Sequence, residues 1–189
     1  NAKSLTTIGA NAFEQNFAAG KWVPTLTEII FPAETKGEDA EKWADYTNKV
    51  NIIGSQAFLG ASKVTKIENL KDTKLTAINQ WFTATASTIA DNLDMCPDGL
   101  TELELPATDW KYAGSLTTIA DYALQGLGIE EIVIPASVTN FGVCVLQGCL
   151  NLKKVEWYDA QVTSLDKYTF RGYMTNHATP QVRKTAEIL

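Results

Sequence analysis

Two short segments alternate along almost the whole chain, and this alternation constrains the fold more than any other feature of the sequence. The first has the form L-x-x-L-x-L-P, as in "IEEIVIP" from Ile129. The second places two apolar residues three apart, then a small residue, Asp or Asn, and later a small and a bulky apolar residue. An example is "VTNFGVCVL" from Val138. We name these the strand segment and the turn segment. Each is too short to bury its own apolar side chains, so the repetition predicts a stack of units.

The copies follow one another without a break in the alternation. Strand segments begin at Leu26, Val64, Leu100, Ile129 and Leu152. Turn segments begin at Leu5, Val50, Leu75, Leu116, Val138 and Val162. Ile129 and Leu152 lie 23 residues apart, and the last three turn segments are spaced by 22 and 24 residues. A period of about 20–29 residues with L-x-x-L-x-L is typical of leucine-rich-repeat solenoids.

Stacking predicts where the side chains of each unit lie. The strand segments are expected to align as a parallel sheet, and three prolines to end them at the same point, because proline has no N–H for a ladder. These are Pro32, Pro106 and Pro135. One internal column is predicted from Leu103, Ile132 and Val155, and another from Phe13, Phe58, Leu124, Leu146 and Phe170. A small residue recurs at the fifth turn-segment position and suits a tight bend, at Gly9, Gly54, Ala120 and Gly142.

The stretch "IEEIVIPASVTNFGVCVLQGCLNLKKVEW" resembles the BspA-like, or Treponema-type, leucine-rich repeat. The resemblance runs from about Leu5 to Phe170 and implies a solenoid of right-handed coils. Their short parallel strands would form one curved sheet, interrupted by irregular loop or helical insertions. Cys96 and Cys149 occupy the family's Cys position, but Asn16 and Leu127 replace it elsewhere, and Asn69 stands at an inward position. We expect irregular coils at these departures.

The resemblance also implies a secreted or surface-anchored bacterial protein of a family whose members are described as adhesins for host matrix proteins or other cells. We predict a single domain over residues 1–189, with repeats at about 5–170 and a C-terminal cap or truncated end at 171–189. A short helix is predicted in "QVRKTAEIL" after Pro180. Any export signal or membrane anchor is expected to lie outside this chain.

Three insertions interrupt the repeats, and each carries a tryptophan beside another aromatic residue. The first holds Trp43 with Tyr46, the second Trp110 with Tyr112, and the third Trp81 with Phe82. One interpretation is an aromatic cluster that binds a glycan or a protein, because Trp and Tyr dominate binding hot spots. The favoured interpretation is that each aromatic residue folds back to cover its own loop. The first insertion is also predicted to contain one or two helical turns.

Charged residues are expected at the outward positions of the strand segments. Glu102, Glu104 and Glu131 would form an acidic patch flanked by Lys66 and Lys154, on rungs about 4.8 Å apart. Such a patch suits a basic partner or a cation, although an ordinary solvated sheet face is the favoured interpretation. A stacked threonine run is read as structural, at Thr6, Thr117, Thr139 and Thr163.

The net charge and the lack of catalytic and metal-binding motifs exclude several classes of function. The chain has 16 Lys and Arg against 22 Asp and Glu, a net charge of -6 that disfavours nucleic acid and anionic membranes. No apolar run reaches the roughly 20 residues that span a bilayer. The one histidine, His177, lies past the last clear repeat, and no catalytic or metal-binding motif is present. The Asp residues of "DNLDMCPDG" lack the spacing of a calcium loop. No cofactor or metal is therefore expected.

We therefore predict a non-catalytic bacterial cell-surface or secreted protein that mediates protein–protein or host-matrix adhesion. One alternative is a carbohydrate-binding surface protein that uses Trp43, Trp81 and Trp110. Another is a structural spacer. The three cysteines are predicted to be buried apolar side chains, and whether Cys144 and Cys149 pair is left open.

Overall fold

A computed structural model describes residues 4–35, 40–83, 95–111, 113–157, 161–171 and 187–188. These residues contain twelve strands of two to four residues each. The strands are β1 (Thr7–Ile8), β2 (Asn16–Ala18), β3 (Lys21–Val23), β4 (Glu28–Ile30), β5 (Ile52–Ile53), β6 (Lys66–Glu68), β7 (Ala77–Ile78), β8 (Thr118–Ile119), β9 (Glu131–Ile134), β10 (Asn140–Phe141), β11 (Lys154–Trp157) and β12 (Glu187–Ile188). The same described residues include 3-10 helices at Trp43–Asp45 and Leu70–Asp72.

The two kinds of segment form separate sets of parallel strands. Strands from turn segments pair as β1 with β5, and as β7, β8 and β10 in one sheet. Strands from strand segments pair as β4 with β6 and as β9 with β11. The predicted parallel alignment of successive strand segments is therefore confirmed for these pairs. β9 ends at Ile134, directly before Pro135, as the missing N–H of proline requires.

The turns between these strands are also hydrogen-bonded from one unit to the next. The N–H groups of Tyr122, Leu124 and Gly126 donate to the carbonyl oxygens of Val143, Val145 and Gln147, at 3.0, 3.2 and 2.9 Å. Two residues with positive φ recur four positions apart in these turns. They are Gln56 and Gly60, Tyr122 and Gly126, and Cys144 and Gly148. This spacing gives successive turns the same shape, so their backbone groups meet in register.

The predicted internal columns are present, with one exception. Leu103, Ile132 and Val155 are buried, as are the turn-segment residues Phe58, Leu124 and Leu146. Phe170 is partly buried against the same core. The prediction was wrong for Phe13, which is 49% exposed. Its ring stacks on Phe58 at 5.6 Å between centroids, so one of its faces is covered by the neighbouring unit.

Two of the recurring glycines, Gly54 and Gly142, allow close stacking of units and do not supply the positive φ of a tight bend. A Cβ at Gly54 would lie 2.5 Å from the backbone nitrogen of Ala10, and one at Gly142 would lie 2.5 Å from that of Asp121. Neither glycine is among the residues with positive φ. The absence of a side chain at these two positions therefore lets the backbones of neighbouring units approach each other closely.

The strand predicted from Leu100 to Pro106 lacks a ladder of its own. Its burial alternates as predicted, with Leu103 and Leu105 inside and Glu102 and Glu104 outside. The carbonyl of Thr101 accepts a hydrogen bond from the Glu130 N–H at 3.2 Å, but no strand is formed there. Packing in the core therefore fixes the inward side chains even where the backbone of the strand segment is not fully paired.

Two further elements differ from the sequence-based expectation. The C-terminal helix prediction is wrong at Glu187–Ile188, which form β12 and pair in parallel with β11. The edge of β11 offers unpaired backbone groups, and a short extended segment satisfies them. An antiparallel hairpin of β2 and β3 was not predicted. It brings Trp22 so close to Gly60 that a Cβ there would meet the indole ring at 2.2 Å.

Candidate functional site

The insertion aromatics are placed mostly inside the protein. Trp43 begins the 3-10 helix of the first insertion, which confirms the predicted helical turn. Tyr46 and Trp81 are each 2% exposed and Trp110 is 5% exposed, whereas Trp43 is half-buried. Tyr112 lies outside the described residues. Buried rings offer no face to a soluble ligand, so Tyr46, Trp81 and Trp110 do not fit the binding role in this conformation.

Two insertions meet around a buried lysine that the sequence analysis did not single out. Tyr46 of the first insertion and Trp110 of the second pack edge to face, with centroids 5.6 Å apart. Lys74 Nζ lies 3.6 Å from the Trp110 ring centroid and 4.7 Å from that of Tyr46. Trp110 also donates from Nε1 to the Thr73 carbonyl at 3.1 Å. Desolvated cation–π contacts of this kind stabilise a cation by about 2 kcal/mol or more.

Glu34 neutralises this lysine from the other side. Lys74 Nζ donates to Glu34 Oε2 at 2.8 Å, and the two side chains are 0% and 2% exposed. The carboxylate also accepts hydrogen bonds from the backbone N–H groups of Thr35, Thr47 and Asn48. Burial lowers the pKa of Lys74, while the contact with Glu34 works in the opposite direction. We call Glu34, Tyr46, Lys74 and Trp110 the lysine hub.

The lysine hub holds the insertions in place. Glu34 binds the backbone on both sides of the first insertion, and Trp110 carries the second insertion to the same lysine. A buried charge pair needs all its partners, because the loss of one leaves the other uncompensated. Tyr46 and Trp110 therefore have a structural role that matches the favoured interpretation of these insertions.

Trp81 belongs to the main core. Its ring packs edge-on against Phe58, at 6.4 Å between centroids and 85° between planes. Its indole nitrogen is buried without a hydrogen-bond partner among the described residues. The third insertion thus contributes core packing at the described residues, and its remaining part, residues 84–94, lies outside them.

The predicted acidic patch is exposed and lines a groove. Glu102, Glu104 and Glu131 surround Leu103, and together with Thr101 and Glu130 they line a groove of about 600 Å³. We call this the acidic groove. It was predictable from the alternation of the strand segments, except for Glu130. Glu130 precedes β9 and lies at the groove because its N–H binds the Thr101 carbonyl. This contact joins two units, and no local sequence pattern predicts it.

The lysines beside the groove differ from those predicted. Lys66 pairs with Glu68 and Lys154 with Glu156, in each case two residues along the same strand, where side chains share a face. The groove is instead bordered by two other exposed pairs. These are Lys71 with Glu104 at 2.7 Å and Lys153 with Glu130 at 2.5 Å.

An apolar surface continues from the acidic groove. A neighbouring hollow of about 350 Å³ is lined by Leu103, Leu105, Ile132, Val133 and Pro135 together with Lys71, Asp72, Glu104 and Glu131. Val133 is 44% exposed. Carboxylates and an open apolar side chain thus lie side by side on the face of β9, an arrangement that suits a partner with basic and apolar side chains.

The cysteines are not bonded to one another. Cys149 Sγ donates to the Leu124 carbonyl at 3.1 Å, and burial raises its pKa to about 12. Cys144 Sγ lies 3.9 Å from Asp166 Oδ2, and burial raises its pKa as well. The two thiols therefore have different partners. Because a raised pKa disfavours the thiolate, neither thiol is activated as a nucleophile.

Metal-ligand clusters and membrane-spanning helices are both absent from the described residues. Within the described part of the chain, no three His, Cys, Asp or Glu side chains come together as metal ligands. No helix in that same part is both long and apolar enough to cross a bilayer. His177 and the first two Asp residues of "DNLDMCPDG" lie outside the described residues.

Comparison with known proteins agrees with the repeat pattern. Residues 100–183 match the family described as "BspA type Leucine rich repeat region (6 copies)". This part of the chain is similar to BspA-type leucine-rich repeat regions. The family resemblance seen in the sequence is thereby confirmed for these residues. Earlier in the chain, parallel pairing of the same kind joins β1 with β5 and β4 with β6.

No curated protein matches the chain. A similar solved structure is the crystal structure of a leucine-rich repeat protein from Bacteroides ovatus, 18% identical, with a TM-score of 0.37. The match covers 82% of this chain and 41% of the other, so this chain spans about two fifths of that protein's length.

Proposed function

We propose that this is a non-catalytic bacterial interaction protein, located at the cell surface or secreted, that binds a protein partner through its acidic groove. Its units would stack as one curved, right-handed solenoid over residues 1–189, with the C-terminal segment covering the end of the stack. The pairing of β12 with β11 supports that covering role. The family of residues 100–183 supports the protein-binding class and a surface location.

The observation that carries this proposal is the convergence of exposed carboxylates beside an open apolar side chain. Glu102, Glu104 and Glu131 come from two neighbouring units, and Val133 extends the same face. A positively charged partner is attracted by such a cluster, and an apolar anchor supplies affinity once it is docked. Host extracellular-matrix proteins or proteins of other cells are the proposed class of partner.

The rival functions have less support from the geometry. A glycan site built on the insertion aromatics needs exposed rings, but Trp81 and Trp110 are buried in the core and in the lysine hub. A structural spacer requires no binding face at all. It is therefore distinguished from the proposed function by a direct binding measurement.

The test is binding of the purified chain to immobilised extracellular-matrix proteins and to intact host cells. The variant E102Q/E104Q/E131Q removes three charges from the acidic groove. The control E14Q/E28Q/E41Q removes three charges from exposed positions outside it. We expect the first variant to weaken binding at least tenfold and the control to change it less than twofold.

Three outcomes would count against the proposal. If the chain binds none of the matrix proteins or cells, the spacer function is favoured. If both variants weaken binding equally, the partner responds to net charge and not to the groove. If neither does, another face carries the interaction. Thermal unfolding of each variant checks that the fold is retained.

A further inference from the structure

A second and larger groove lies on the face formed by the turn segments. It has a volume of about 760 Å³ and is lined by residues of five successive turn segments, including strands β8 and β10. We call it the polar groove. None of its lining residues belongs to the acidic groove or to the lysine hub. Its size falls within the range of sites that bind small molecules in proteins.

The charge of the lining restricts the ligand. Among the described residues that line it, none is Lys, Arg or His, and Asp121 is the one carboxylate. One oxygen of Asp121 already accepts a hydrogen bond from the Val143 N–H at 2.9 Å. An anionic ligand would find no cation to pair with, and a polybasic one would find a single, partly engaged carboxylate. The lining therefore suits a neutral, polar ligand.

The remaining polar groups match the hydrogen-bonding needs of sugar hydroxyls. Asn140 donates from Nδ2 to Thr118 Oγ1 at 3.4 Å, which leaves its carbonyl oxygen as an acceptor. Asn79 donates to the Ile53 carbonyl at 2.9 Å and also keeps its carbonyl oxygen. Thr163 and Ser164 are exposed, and hydroxyls both donate and accept. Tyr122 is half-buried and adds an amphipathic ring of the kind that packs against sugars.

The arrangement repeats along the stack. Parallel strands place equivalent side chains about 4.8 Å apart on successive rungs. Thr118 of β8 and Asn140 of β10 are partners in register, and residues 162–164 continue the lining in the next unit. A linear chain of similar sugar units lying across these rungs would meet similar polar groups at each step.

From these observations we propose that the polar groove is a binding site for a neutral, linear oligosaccharide. This goes beyond the proposed protein-binding function, because it uses a different face and different residues. It also differs from a glycan site made of the insertion aromatics, of which Tyr46, Trp81 and Trp110 are buried. The two grooves would allow one chain to bind a protein and a glycan at separate places.

The test compares neutral with charged sugars on the purified chain. Linear neutral oligosaccharides of glucose, mannose, galactose and N-acetylglucosamine are titrated by calorimetry, alongside sulfated and sialylated ones. We expect at least one neutral series to bind, with affinity increasing with length over the first few sugars, and the anionic sugars to bind at least tenfold more weakly.

Matched variants then locate the site. N140A/T163A removes two lining side chains. T6A/T7A removes the residues at the equivalent repeat positions of the first unit, which lie outside the groove. We expect the first variant to weaken binding at least tenfold and the second to leave it unchanged, with similar unfolding temperatures for both.

The proposal is overturned if no neutral oligosaccharide binds, or if the charged sugars bind best. It is also overturned if N140A/T163A binds as tightly as the unaltered chain, or if T6A/T7A weakens binding equally. Loss of protein binding in E102Q/E104Q/E131Q is measured separately. The failure of one groove therefore leaves the other testable.

Discussion

The regular region, residues 116–157, and the inserted region around the lysine hub are held together in different ways. In the regular region, β8 pairs with β10 and β9 with β11, and the buried side chains repeat from unit to unit. In the inserted region, Lys74 and Glu34 make a buried contact that no other unit repeats among the described residues. A repeated contact spreads the stabilisation over many equivalent sites, whereas the lysine hub concentrates it in one place.

The two regions are therefore expected to differ in how well they tolerate substitutions. A defect in one regular unit leaves its neighbours with their own equivalent contacts. A defect in the lysine hub releases two insertions at once, because Tyr46 and Trp110 both pack against Lys74.

The largest effect is expected from Lys74→Ala. Removal of the ammonium leaves the Glu34 carboxylate buried without its cation, which costs about 3–5 kcal/mol of unfolding free energy. The measurement is urea denaturation followed by tryptophan fluorescence, to which Trp110 should contribute because its ring loses a contact. A loss below about 1 kcal/mol would show that the hub is not a point of concentrated stability.

A double variant separates the uncompensated charge from the lost packing. In K74M/E34Q neither side chain carries a charge, and the glutamine carbonyl still accepts backbone hydrogen bonds such as that from Thr47. We expect at least half of the stability lost in Lys74→Ala to return. Equal losses in the two variants would mean that the cation–π contacts, and not the unpaired carboxylate, dominate.

The second prediction compares two positions of one internal column. Leu124→Ala should cost about 2–5 kcal/mol, because the side chain is 1% exposed and its loss leaves a cavity between units. Phe13 lies at the equivalent position of the first turn segment but is 49% exposed. Phe13→Ala should therefore cost clearly less unfolding free energy. Calorimetric unfolding measures both. Equal losses would contradict the exposure of Phe13.

The regular region was predictable because its pattern repeats. The period placed β9 and β11, and the apolar spacing identified Ile132 and Val155 as inward. Alternation along the strand segments also identified Glu102, Glu104 and Glu131 as outward, which is most of the acidic groove. Each of these inferences needed only the order of residues within a unit and the rule that equivalent positions stack.

The lysine hub was not predictable because nothing local marks its residues. Lys74 occurs in "DTKLTAI", where an exposed lysine would look the same. Its burial depends on contacts with Glu34 and Trp110, which lie 40 and 36 positions away in insertions without a periodic pattern.

By contrast, the turn of the β2–β3 hairpin has a recognisable sequence feature. Ala19 and Gly20 both have positive φ, as a two-residue hairpin turn requires, and glycine at that place favours it.

The third prediction tests close stacking in the regular region. Gly142→Ala places a Cβ 2.5 Å from the Asp121 nitrogen and should cost about 1–3 kcal/mol through displacement of a neighbouring backbone. Gly9→Ala is the matched control, since a Cβ there meets nothing within 4 Å. It should leave the stability unchanged within about 0.5 kcal/mol or raise it slightly. Comparable losses at both positions would indicate that glycine is needed for its backbone conformation and not for the close approach of a neighbouring backbone.

The smallest effect is expected from Lys153→Ala, which breaks the same kind of ion pair as Lys74→Ala in a different environment. Lys153 and Glu130 meet at 2.5 Å, but their side chains are 53% and 50% exposed. Water and salt already stabilise both charges, so the loss should be about 0.2–1 kcal/mol. It should also shrink further at high salt, because exposed pairs are screened.

Lys74→Ala should by contrast lose nearly the same stability at every salt concentration, because its partner carboxylate is enclosed. The salt dependence of the two variants therefore measures the difference between the two regions directly. If the loss in Lys153→Ala matches that in Lys74→Ala, or if both fall with added salt, then burial does not distinguish the two pairs. The insertions would in that case depend on general packing, and the lysine hub would be one contact among many.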